Sequence, residues 1–97
     1  MEIREEFRPI SGYHGRYSVS NYGAIMNNKT HRVLMVNYDS KLPSIGLSCD
    51  GIQTWIPVCV LVARAFVDNQ NNYEHVRFID GDSRHHRADN LEWVESE

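Results

Sequence analysis

A chain of 97 residues with 41% hydrophobic content suffices for one domain, burying about 60–70% of its unfolded surface, and is short for two. Ten Lys and Arg against thirteen Asp and Glu leave a net charge of −3, which disfavours bare nucleic acid, because cation–phosphate contacts supply most of such affinity. No run approaches a membrane span, and the charged opening Met1-Glu2-Ile3-Arg4-Glu5-Glu6 excludes a signal peptide, so a cytoplasmic protein without membrane partners is expected.

The charge is unevenly spread. Residues 1–50 carry six basic and five acidic side chains, a balance of +1, whereas residues 51–97 carry four and eight, a balance of −4. Cys49 and Cys59 form no CxxC pair, and in a chain without a secretion signal they read as buried thiols rather than as a disulfide or a zinc site.

In chain order, Glu5 to Ile10 is a short lead-in. The run Gly12-Tyr13-His14-Gly15-Arg16-Tyr17-Ser18-Val19-Ser20-Asn21-Tyr22-Gly23 then sets three Gly and three Tyr around one polar–apolar alternation, which predicts turn, strand, turn and a further strand through Ala24-Ile25-Met26. Asn28-Lys29-Thr30 is a second turn. Arg32 to Tyr38 is rich in β-forming residues, and a loop follows around Ser40-Lys41-Leu42-Pro43. Ser44 to Cys49 and Ile52 to Pro57 flank Asp50-Gly51, a strong hairpin turn because both residues tolerate positive φ.

Periodicity changes at Val58. Val58, Leu61, Val62, Ala65 and Phe66 recur at helical spacing, with Pro57 suited to the first turn. The polar run Asp68 to Asn72 ends that helix. His75 to Asp80 reads as a strand, Gly81-Asp82 as a turn, and Asp89 or Asn90 as the start of a closing helix through Leu91 and Trp93. Trp55 and Trp93 are read as core.

Two of these segments resemble one family. GYHGRYSVSNYG is similar to the nuclease-associated modular motif, written GYxGxYxVSNxG, that precedes many phage-borne HNH endonucleases. Val58 to Trp93, with LVARAF, then IDG and NLEWV, resembles the HNH unit that follows it. The resemblance implies an α+β fold in one domain: a small antiparallel sheet over residues 1–57, then a helix and an HNH-like ββα unit over residues 58–97.

The family's catalytic pattern is only partly kept. The resemblance places its metal ligand at Arg77, its general base at Phe78 and its second metal ligand at Asn90, and only Asn90 has suitable chemistry. A guanidinium cannot ligate a cation, and a phenyl ring has no proton to exchange. Loss of a general base alone typically costs about 10²–10⁴-fold. The family's His-Arg at the middle helix is Cys59-Val60 here, and its paired Asn is His85-His86.

No catalytic residue or cofactor is therefore expected. A divalent cation such as Mg²⁺ would be held only if Asp80, Asp82, His85, His86 and Asn90 rebuilt a site, for which the spacing gives no support. The candidate binding residues are Arg77, Phe78, Arg84, His85, His86 and Arg87, with Arg16 and Tyr13 from the modular motif. Phe78 is expected to pack on Leu91 or Trp93 and Arg77 to pair with Asp80 or Asp82, unless the two form an exposed binding spot. The function expected is that of a catalytically inactive, HNH-like phage protein that binds a host protein, such as a nucleic-acid-processing or defence factor, and inhibits it. The alternative is a DNA-binding homing endonuclease or nickase with a rewired site.

Overall fold

The computed structural model describes residues 4–39 and 41–95, so the opening Met1-Glu2-Ile3 and Ser40 of the predicted loop lie outside the described residues. β1 (Phe7–Pro9), β2 (Tyr17–Ser20), β3 (Ile25–Asn27) and β4 (Arg32–Val33) form one antiparallel sheet in sequential order. β5 (Ser44–Cys49) and β6 (Ile52–Pro57) form a hairpin, followed by the helix α1 (Val58–Phe66). β7 (His75–Phe78) and β8 (Leu91–Val94) form a second hairpin, with a short 3₁₀ turn at Ala88–Asn90 before the return strand. The α+β class holds, and no helix of the described residues is long and apolar enough to cross a membrane.

The modular motif earns its residue types through hydrogen bonds. The buried Ser20 hydroxyl accepts from the Tyr22 and Ala24 amides, 3.1 and 3.0 Å, closing the turn between β2 and β3. Asn21 ties down the lead-in: its Oδ1 accepts from the Glu6 amide at 2.8 Å and its Nδ2 donates to the Arg4 carbonyl at 3.0 Å. Gly23 completes the turn at φ 91°, a conformation that costs other residues steric strain.

Asp50 and Gly51, at φ 52° and 81°, make the predicted tight turn of the β5–β6 hairpin. Ile45 and Leu47 face inward and are buried, while Gly46 opposite Trp55 faces outward. Trp55 is accordingly 59% exposed, not in the core as expected; strand parity puts it on the solvent side, across the Gly46 backbone. α1 buries Val58, Leu61 and Val62 as its stripe requires, with Ala65 and Phe66 half-buried beside them. Its first amide, from Val58, donates to the Pro43 carbonyl at 2.9 Å, which satisfies an otherwise orphan helix-end donor.

The closing helix predicted from Asp89 or Asn90 does not form. Leu91-Glu92-Trp93-Val94 is a strand because its apolar residues alternate: Leu91 pairs with Phe78 and Trp93 with Val76 on the core side, and Trp93 Nε1 donates to the Val67 carbonyl at 3.1 Å. Capping residues ahead of an apolar pair are equally compatible with a hairpin return. Cys59 is buried as expected, whereas Cys49 is only partly so.

Candidate functional site

The alternation of β7 decides what Arg77 and Phe78 do. Phe78 turns inward and packs against the core beside Leu91, as expected. Arg77 turns outward and pairs with Glu92, not with Asp80 or Asp82, because Glu92 sits directly across the ladder. The two side chains therefore leave the strand on opposite faces.

The loop joining β7 to β8 is organised by Asn90. Its Nδ2 donates to Asp80 Oδ1 at 2.9 Å and to the His85 carbonyl at 2.8 Å, while its Oδ1 accepts from the Asp80 amide at 3.1 Å. His85 Nδ1 donates to Asp80 Oδ2 at 2.6 Å, and its Nε2 lies 3.5 Å from Asp82 Oδ2. The His85 hydrogen bond, helped by the Asp82 amide and Asn90, lowers the Asp80 carboxyl to about 2. The same bond, with the Asp82 charge, raises the His85 pKa.

The divalent ion implied by the resemblance does not fit these residues. Arg77 presents a cation, Phe78 is packed away, and the Asn90 amide is committed to Asp80 and to backbone. Nor do His85 and His86 converge. His86 points inward, with Nε2 and the Tyr38 hydroxyl sharing a 3.2 Å hydrogen bond and its Nδ1 buried without a hydrogen-bond partner among the described residues. Burial lowers its pKa. His86 is only 7% exposed, whereas its neighbour His85 lies on the surface.

His86 joins two parts of the chain. Its ring lies on Gly23 of the modular turn, and the Ala88 amide donates to the Asn21 carbonyl at 2.8 Å. This docking sets Arg87 over the Tyr22 ring, 4.1 Å from its centre, and Arg84 over Tyr38 at 5.9 Å. Arg84, His86 and Arg87, all predicted site residues, therefore each meet an aromatic side chain: Arg84 and His86 meet Tyr38, and Arg87 meets Tyr22. Tyr38 was missed, since a lone Tyr in a β-rich run carries no signal of a partner 48 positions away. Tyr13 and Arg16 stay on the Gly12–Gly15 loop side, where Tyr13 packs edge-on against Tyr17 with ring centres 5.6 Å apart.

The local acids are largely matched by cations. Asp80 and Asp82 face His85, Glu92 faces Arg77, and Asp89 lies 3.8 Å from Arg87. Among the described residues Arg84 has no carboxylate partner and is exposed. A half-chain balance of −4 thus coexists with exposed guanidinium groups that lie over aromatic rings.

A modular antiparallel sheet and helix carrying a β-hairpin, with Ile-Asp-Gly at its first bend and Asn90 before its return strand, is the frame of an HNH-type protein. Residues 5–48 match the NUMOD4 motif. The chain is 36% identical over 96 residues to an uncharacterized HNH endonuclease of Acanthamoeba polyphaga mimivirus, covering 96% of this chain and 24% of the relative. A second uncharacterized HNH endonuclease of that virus is 31% identical over 80% of this chain and 24% of its own length. The solved structure of the HNH homing endonuclease I-HmuI, described as binding and cleaving DNA, matches with a TM-score of 0.84 at 31% identity, over 92% of this chain and 52% of that one. This chain belongs to the HNH-type endonuclease family that carries the NUMOD4 motif. It spans about a quarter of the length of the curated relatives and about half of the solved one.

Proposed function

We propose that this chain is a DNA-binding module of the HNH homing-endonuclease type, which contacts phosphates through Arg84 and Arg87 and does not cut DNA at the Arg77/Phe78 position. The observation that carries the reading is the docking of the β7–β8 loop on the modular turn, which fixes two guanidinium groups on Tyr22 and Tyr38. Ring-stacked Arg loses less side-chain freedom on meeting a phosphate than a free one does. The charge split and the Arg77/Phe78 exchange motivate the host-protein target and inhibitor role expected from the sequence, whereas the HNH relatives and the DNA-binding structural neighbour support nucleic acid.

Fluorescence anisotropy with duplex DNA across a salt series tests this reading. Each phosphate contact contributes about −0.9 to the log–log slope, so Arg84→Ala/Arg87→Ala reduces the slope by about 2 if both residues touch phosphate. A flat salt response of the unaltered protein overturns it. In a supercoiled-plasmid assay with Mg²⁺ or Mn²⁺, no nicking is expected of the natural protein.

A second reading, a nickase with a rewired site, is favoured by one observation: His85 is held by Asp80, which Asn90 in turn holds, an arrangement that orients an imidazole. Nicking by the natural protein that disappears in His85→Ala selects this reading.

A further inference from the structure

We propose that His14, Cys49 and Asp50 form a binding site for a thiophilic divalent cation of the Zn²⁺ class, bridging the Gly12–Gly15 loop to the β5–β6 turn. None of its three residues belongs to the β7–β8 loop. One donor atom from each of the three residues lies within 4.8 Å of the other two, the one such group among the described residues.

The spacing suits the ion. Zn–S near 2.3 Å and Zn–O near 2.1 Å at a tetrahedral angle require an S···O edge of about 3.6 Å. Cys49 Sγ stands 3.6 Å from Asp50 Oδ2. The remaining closure falls on the His14 imidazole, which is exposed and has side-chain freedom to cover the last ångström or so.

The donor set selects the metal. A thiolate and an imidazole favour Zn²⁺ or Co²⁺ over Mg²⁺ or Ca²⁺, which take oxygen ligands. Thiolate and carboxylate together neutralise the dication, while His14 contributes a neutral nitrogen. The thiol must lose its proton on ligation, so binding releases a proton and strengthens as pH rises. Three protein ligands leave a fourth position to water. A bound ion would tie the loop that carries Tyr13 and Arg16 to the hairpin turn.

The test uses Co²⁺ as a spectroscopic probe of the reduced protein, titrated in metal-free buffer. The expected result is a thiolate-to-cobalt charge-transfer band in the near ultraviolet that saturates at one equivalent and is displaced by Zn²⁺. The band should vanish in Cys49→Ser and persist in Cys59→Ser. His14→Asn and Asp50→Asn, chosen because Asn tolerates the positive φ of 53° and 52° at these positions, should each weaken Co²⁺ binding at least tenfold. Circular dichroism of each variant shows whether it is folded. Zn²⁺ should also slow alkylation of Cys49, read by mass spectrometry. No charge-transfer band, a band that survives Cys49→Ser, or full affinity in both Asn variants overturns the site.

Discussion

Replacing Gly23 by Ala tests whether the modular turn and the β7–β8 loop are one unit. A Cβ at this position would run into His86 Nδ1 and lie 2.5 Å from Cε1, on a backbone at φ 91°. The unfavourable φ costs about 1–2 kcal/mol. Expelling the buried His86 ring from Tyr38 and Gly23 costs a further 1–3 kcal/mol or so, the range for losing a buried polar contact. The sum is about 2–5 kcal/mol, and at roughly 4–8 °C per kcal/mol for a domain of this size the melting temperature falls by at least about 8 °C. The assay is thermal unfolding by circular dichroism for Gly23→Ala, His86→Ala and the double variant. If the contact is as described, removing His86 first relieves the clash, and Gly23→Ala then costs only the backbone portion. Costs that add to within about 0.5 kcal/mol would refute the reasoning, because independent sites are additive.

The two faces of β7 predict contrasting losses. Phe78→Ala should destabilise by about 2 kcal/mol, less than the roughly 3–5 of a fully buried Phe, whereas Arg77→Ala should cost under about 1 kcal/mol because its pair with Glu92 is solvent-screened; urea unfolding separates the two. Asn90→Ala removes three hydrogen bonds from the loop and should cost about 1–3 kcal/mol, with amide exchange accelerating at Asp80, whose N–H it holds. The adjacent histidines should bend the pH–stability curve in opposite senses. His85, its pKa raised from 6.5, contributes stability that is complete below that value and is lost as pH rises through the raised one; His86, its pKa lowered, makes stability fall as pH drops below 6.5, because the unfolded chain then takes up a proton that the buried ring does not. Melting temperatures across pH should lose the alkaline decline in His85→Gln and keep the acid one, and an unchanged alkaline decline would sink the His85 assignment. The reverse variant Arg77→Asn/Phe78→His should acquire metal-dependent plasmid nicking if the hairpin frame is intact, while a folded variant that stays inert shows that more than these two positions was lost.

Much of the fold was legible in the residues. The Asp50-Gly51 hairpin and the helix beginning at Val58 depend on turn chemistry and periodicity within a few residues, and both formed where expected. The inward Phe78 followed from its position, but Arg77 found Glu92 because cross-strand register, unlike sequence proximity, decides which charges meet. Leu-Glu-Trp-Val misled because four residues are too few to distinguish helical from alternating order, and pairing with β7 settled the matter.

The sequence by itself determined the α+β class, the modular motif and the presence of a guanidinium and a phenyl ring at Arg77 and Phe78, since each is a property of residue type at a local position. Only the tertiary structure decided that His86 is buried, that Arg84 and Arg87 lie on Tyr38 and Tyr22, and that His14 meets Cys49 and Asp50. These groupings join side chains from separate sheets and loops. Their distances come into being when the sheets pack, and no local pattern encodes them.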